Sequence, residues 1–203
     1  MNPRSIVVVL TAAAVLMAAP AVQAGQPSEP KRSTVRRVEP FTRPTGSRLP
    51  SDGSSQPVCP DSLDLCRKFL TMSAHFVQNH RIPLREKELL ILRTAYLSRA
   101  QYQWGRHYNT GKRAGLTDED IVRIVEGPAA VGWTPFEAVL LRAVDEMHTS
   151  RFISEPTWKA LAERYSDHYL LEVVLIIGNY TMLAMYQNTI GMPLEPGLRI
   201  MPE

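Results

Sequence analysis

From Leu65 onward the apolar residues of this chain recur at intervals of three and four. Leu65, Phe69, Met72, Phe76 and Val77 share one side of a first predicted helix, behind the cap candidates Asp61 and Ser62. Arg85 to Leu97 predicts a second helix rich in Leu and helix-forming charged residues. Gln101 to Ala114 predicts a third, stopped by Gly115. Thr117-Asp-Glu-Asp120 opens a short fourth with acids in its first turn, and Gly127-Pro128 ends it. Thr134-Pro-Phe-Glu137 is a capping box with proline at the first helical position, starting a helix that runs to about His148. Ser154 to Tyr165 follows with Pro156 early in it, and Tyr169 to Ile190 ends at Gly191. Every strongly periodic segment is helical, so the expected fold class is all-α, about six to seven helices in one domain.

The last of these segments differs from the others. Leu170, Leu171, Val173, Val174, Leu175, Ile176 and Ile177 form an almost continuous apolar surface, continued by Met182, Leu183, Ala184 and Met185. A helix apolar all round is buried on all sides. A domain of about 140 residues reaches that more easily with help from a second subunit, so the segment predicts homo-oligomerisation through buried apolar helices. Glu172, Asn179, Gln187 and Asn188 interrupt it at helical intervals and argue against a membrane span.

Upstream of Asp61 the pattern disappears. Arg4, an apolar run from Ile6 to Ala19, Pro20 and the small-residue end at Ala24 read as a signal peptide over residues 1–24. That run is shorter than the roughly 20 apolar residues a bilayer span takes, so no stable membrane span remains after cleavage. The mature protein is expected to be periplasmic or secreted. Residues 25–60 hold seven of the sixteen prolines and almost no large apolar side chains, the composition of a disordered linker. The folded domain spans 61–203. A chain of 203 residues with 44% hydrophobic content allows one such domain with appendages.

Charge follows the same division. The formal net charge is +3, but from Asp61 on there are 16 Lys/Arg against 17 Asp/Glu, while 25–60 carries six basic and three acidic residues. The basic excess belongs to the linker, which lacks the aromatic residues that stack bases, so no nucleic-acid partner is expected. The two cysteines, Cys59 and Cys66, sit at the domain boundary. On one helix their Cα atoms would stand about 10 Å apart, too far for a disulfide. If the helix starts after Pro60, Cys59 can fold back, and in an oxidising compartment a bridge is the ordinary fate. Cys59 and Cys66 are therefore disulfide candidates, with an exchanging or peroxide-reducing pair as the alternative. His75, His80, His148 and His168 show no metal-ligand spacing, so neither a metal nor another cofactor is expected.

Several segments together carry a family resemblance. Glu-Leu-Leu-Ile-Leu-Arg from Glu88, Tyr-x-Trp-x-x-His from Tyr102 and Ala-Gly-Leu-Thr-Asp-Glu-Asp-Ile from Ala114 resemble the carboxymuconolactone decarboxylase family, which includes the alkylhydroperoxidase D-like proteins. Val144-Asp-Glu-Met, Gly178-Asn-Tyr-Thr-Met and Asn188-Thr-Ile-Gly-Met-Pro-Leu-Glu are similar to the longer, decarboxylase-like members. The resemblance covers about residues 63–197. It implies an all-α, alkylhydroperoxidase D-like fold assembled as a trimer, hexamer or related ring.

It also implies roles. The peroxidase branch carries Cys-x-x-Cys-x-x-x-His on a helix, with a glutamate from the preceding helix in a proton relay. His107 and Glu88 match the histidine and glutamate, but Ala100 and Gln103 occupy the cysteine positions. The thiolate is the nucleophile toward peroxide, so that mechanism is lost at this place. The decarboxylase branch needs a general acid/base, an oriented partner and a cation for a carboxylate. His107 suits proton transfer near neutrality, Glu88 is placed to fix its tautomer, and Tyr102 to donate a hydrogen bond. These three are the catalytic candidates. Arg93 or Arg106 would pair with the carboxylate through a planar fork, and Trp104 would wall the pocket.

Plainer readings stand beside these. Glu88 pairs with Arg85 or Arg93 on a helix surface, Trp104 packs in the core, and Trp133 and Trp158 do the same. The expected function is an exported, cofactor-free acid/base enzyme of decarboxylase or lyase type, acting on a small organic acid or lactone. Peroxiredoxin-type antioxidant activity and a non-catalytic oligomeric binding protein are the alternatives.

Overall fold

Ten consecutive residues of one helix, Glu86 to Ala95, are buried in the computed structural model, which describes Arg48 and residues 64–203, the side chain of Cys66 excepted. The segment assigned to a signal peptide and, apart from Arg48, the linker lie outside the described residues, as does Cys59, so the disulfide expectation does too. Seven helices follow in order: α1 Asp64–Gln78, α2 Leu84–Leu97, α3 Gln101–Arg113, α4 Asp118–Glu126, α5 Pro135–Ser150, α6 Glu155–Ala162 and α7 Asp167–Ile190. The described residues contain no strand.

The buried helix is α2, and it packs against α3, α5 and α7. It divides the core in two. Leu90 and Ile91 face Leu140 and Val144 of α5, Leu161 of α6 and Val173, Ile176 and Ile177 of α7. Leu89, Leu92 and Ala95 face Trp104 of α3, Leu116, and Ile121 and Ile124 of α4. Each fully buried Leu or Ile contributes roughly 1.5–3 kcal/mol relative to exposure. With apolar side chains required on both sides, few positions of α2 remain for water. Its charged residues Glu86, Lys87, Glu88 and Arg93 are consequently buried too, and each must find a partner inside the fold.

The helix ends follow the local chemistry. Thr117 and Asp120 form a capping box at α4, and Thr134 and Glu137 form one at α5 behind Pro135. Gly191 ends α7 in the left-handed conformation at φ 71°. α6 stops at Ala162 rather than Tyr165; the Tyr165 N–H still bonds the Leu161 carbonyl, while its ring enters the core.

α7 departs from its expected surroundings. Its inner face is in the core, but Leu171 is 56% exposed, Leu175 47%, Met182 43% and Met185 60%. Among the described residues the helix is buried on one side only, because α2, α5 and α6 all lie against the Val173–Tyr180 face. α7 is long and apolar enough to cross a membrane by length and composition; its Val173, Ile176, Ile177 and Tyr180 are committed to the core. Trp158 is likewise 37% exposed rather than buried.

Candidate functional site

α2 and α3 carry the site between them. They meet at an angle set by Arg99, a non-glycine residue at φ 52° in the link between them, and Trp104 pins them together from inside the core. Across this contact His107 Nδ1 lies 2.7 Å from Glu88 Oε2. Glu88 is fully buried and the His107 side chain is 17% exposed. With Glu88 ionised, its oxygen accepts and Nδ1 carries the proton, which leaves Nε2 as the basic nitrogen. The ring of Tyr180, on α7, stands edge-on to the imidazole, with centroids 5.0 Å apart at 87°. Burial and the Glu88 charge push the Tyr180 hydroxyl well above its ordinary ionisation range, so it stays neutral.

His107 lines a cavity of about 280 Å³ together with Val77, Arg106, Asn109, Thr110, Arg113 and Leu198. Arg106, Asn109, Thr110 and Arg113 are spaced i, i+3, i+4 and i+7, so α3 presents them as one polar face. Sequence reading overlooked Asn109, Thr110 and Arg113, although this spacing was the signal. The C-terminal segment was read only as part of the resemblance, with no site role for Glu195 or Leu198. Glu195 accepts a hydrogen bond from the Tyr102 hydroxyl at 3.0 Å and pairs with Arg106 at 3.0 Å. Leu198 closes over Gly105, where an added Cβ would stand 2.9 Å from the Leu198 Cβ. Only glycine lets the segment approach α3 this closely.

Three candidates are placed elsewhere. Arg93 is 6% exposed and forms a bidentate pair with Asp145 at 2.7 and 2.9 Å. Its remaining amino group donates to the Ile124 and Val125 carbonyls at 2.8 Å, so it closes the C-terminal end of α4 rather than meeting a substrate. Gly127, at φ 102°, passes so close to it that an added Cβ would stand 2.7 Å from the guanidinium. Trp104 is fully buried among Leu89, Leu92 and Leu116 and does not wall the cavity. Tyr102 is 5% exposed and turned toward Glu195, off the cavity lining. Nor does Glu88 pair with the neighbouring arginines, since Arg85 is taken by Asp120 and Glu137.

Residues 60–146 match the model of the carboxymuconolactone decarboxylase family. Solved structures share its all-α, AhpD-like fold. One is a protein of unknown function from Agrobacterium tumefaciens, described as an AhpD antioxidant defence candidate, at 16% identity and TM-score 0.60, covering 66% of this chain and 92% of that one. Another is an alkylhydroperoxidase AhpD core protein from Ralstonia eutropha JMP134, at 16% identity and TM-score 0.59, covering 66% and 73%. A third is a variant of the debrominase Bmp8 in complex with 2,3,4-tribromopyrrole, at 17% identity and TM-score 0.57, covering 66% and 73%. Likeness at these identities speaks to the fold. No curated protein matches the chain.

In this chain the two positions matched by resemblance to a cysteine pair are filled from within. Ala100 is fully buried in the α2–α3 core, and Gln103 is 2% exposed. Neither side chain has a sulfur to form the thiolate that attacks peroxide.

Proposed function

We propose that this chain is an acid/base enzyme of decarboxylase or lyase type acting on a small organic acid or lactone, with His107 as proton carrier. The observation that carries this reading is the buried Glu88–His107 pair at 2.7 Å, opening onto a cavity that also holds Arg106 and Arg113. Glu88 holds Nδ1–H and directs Nε2 toward an occupant. A carboxylated substrate would meet Arg113 first, since the Arg106 charge is matched by Glu195. Neutral His107 takes the carboxyl proton at Nε2 as the C–C bond breaks and its electron pair moves into a conjugated carbonyl; carbon dioxide leaves, and the imidazolium returns that proton to carbon. General acid/base assistance of this kind contributes typically 10²–10⁴-fold.

The test is cofactor-free turnover of a panel of lactone acids and conjugated keto acids, followed as carbon dioxide release or loss of ring absorbance. His107→Ala is expected to lower kcat at least about 100-fold with the fold intact by circular dichroism. Unchanged turnover would remove His107 from the chemistry and leave the binding-protein alternative. Peroxide reduction has no support at Ala100 and Gln103, and it would have to run through Cys59 and Cys66.

The outer face of α7 supports a second element of the proposal, assembly with further copies of the same chain. Leu171, Leu175, Gly178, Met182 and Met185 form an exposed stripe at 4-3-4-3 spacing, without a charge on it. Its apolar residues lie nearly symmetrically about Gly178. An antiparallel second α7 would set Leu171 against Met185 and Leu175 against Met182, the self-complementarity that a twofold contact requires. Mid-helix glycine costs about 1 kcal/mol relative to alanine. Among the described residues nothing lies within 4 Å of where its Cβ would be. A helix from a second copy is the neighbour that would use that notch.

A further inference from the structure

Glu88 is fully buried, yet only one of its oxygens has a hydrogen bond. Oε2 meets His107, while Oε1 has no hydrogen-bond partner among the described residues. The cation beside Oε1 is Lys87, with Nζ 3.7 Å away. Successive residues of a helix point about 100° apart, and a lysine on a helix ordinarily runs its stem out to water. Lys87 does the opposite. It is 3% exposed, and its ammonium is anchored by donating to the Phe76 carbonyl at 3.3 Å. Burial lowers its proton affinity below the ordinary range, while the Glu88 charge acts to restore it. An inward lysine of this kind costs free energy unless the charge is used.

We propose that Lys87 is a positioning residue for His107: its charge balances Glu88, so that the imidazole rests uncharged with Nδ1–H held and Nε2 free. This rests on the reading of His107 as the acid/base group. With Lys87 present the buried set of Lys87, Glu88 and neutral His107 carries no net charge. Without it, a buried carboxylate remains unbalanced, and the pair binds one more proton more readily. That proton sits at His107 Nε2 in either form of the pair. An imidazolium carries it there directly, and a protonated Glu88 that donates to Nδ1 shifts the ring to the Nε2–H tautomer. The base is lost both ways.

The surrounding charges are few. From α7, Glu172 accepts both its hydrogen bonds from the Arg81 N–H and adds a negative field at Lys87, and Tyr180 stays neutral. From α3, Arg106 and Arg113 stand at the cavity and favour an uncharged imidazole. α1 supplies the Phe76 carbonyl. The acids of α4 and α5 nearest α2, namely Asp120, Glu137 and Asp145, are engaged by Arg85 and Arg93.

The experiment is an ¹⁵N imidazole NMR titration of wild type, Lys87→Met and Lys87→Arg, with the His107 signals picked out from the five histidines by His107→Gln. In Lys87→Met the pH at which Nε2 takes up its proton is expected to rise by on the order of one unit, and Lys87→Arg should restore it. The acid limb of a pH–rate profile should move with it. If Lys87→Met fails to fold, Lys87→Gln, whose amide can still donate to the Phe76 carbonyl, replaces it with the same rise expected. A folded variant lacking Lys87 in which His107 titrates as in its parent overturns the proposal. That outcome leaves the role of His107 itself, read by His107→Ala, intact.

Discussion

Glu88 and Arg93 lie five positions apart on α2, and neither reaches water. Their fates differ because of what the facing helix offers. α3 brings a histidine to Glu88, whereas Arg93 meets Asp145 of α5 and the last carbonyls of α4. For Arg93 the consequence is structural. Arg93→Met leaves Asp145 and two carbonyls without their donor, a loss on the order of 3 kcal/mol, or roughly 10 °C in Tm. Turnover of any substrate found is expected to survive at temperatures where the variant is folded. A variant with unchanged Tm but a raised KM would return Arg93 to the substrate. Sequence reading recognised both residues as special, since charged groups among leucines stand out. It could not assign their partners, because spacing along one helix is silent about which side chains another helix presents.

The helix scale shows the opposite balance, with local rules predicting well. Thr117 and Asp120 close the α4 capping box with bonds of 3.0 and 3.1 Å. Asp120 also accepts from Arg85 at 2.9 Å and from Arg123. Burial alone would raise its carboxyl, but the hydrogen bonds from Arg85, the Thr117 N–H and Arg123 outweigh it and hold the group at about 2, against an ordinary 3.8. A depressed folded value contributes stability that is present above the unfolded value and is lost as pH falls through the folded one. The Asp120 contribution, about 2 kcal/mol, is therefore full above about pH 4 and gone near pH 2. Thermal melts between pH 5 and 2 should show this loss, and Asp120→Asn should flatten it. An equal slope in the variant would mean that Asp120 is not the group. The capping acids were legible because a cap acts within four residues. Arg85, which arrives from α2, was not.

At the scale of the whole molecule α7 is the informative element. Light scattering should give a multiple of the chain mass. Leu175→Glu combined with Met182→Glu should reduce this to a monomer with helicity unchanged. A monomeric wild-type protein would refute assembly, and co-sedimentation with neutral liposomes, abolished by the same pair, would show that lipid covers the stripe instead. The sequence by itself determined that the domain is helical, where six of its seven helices end within a residue or two, and that Glu88 and His107 are the residues to watch. Each of these follows from periodicity, from capping within one turn, or from a motif. Only the tertiary structure decided that Glu88 chooses His107 over the arginines, that Lys87 turns inward, that Arg113 and Leu198 share the cavity, and that none of the described helices covers the outer face of α7. These depend on which faces meet after helices distant in sequence pack together, and packing is settled by shape and buried charge over the whole core rather than by any short stretch of residues.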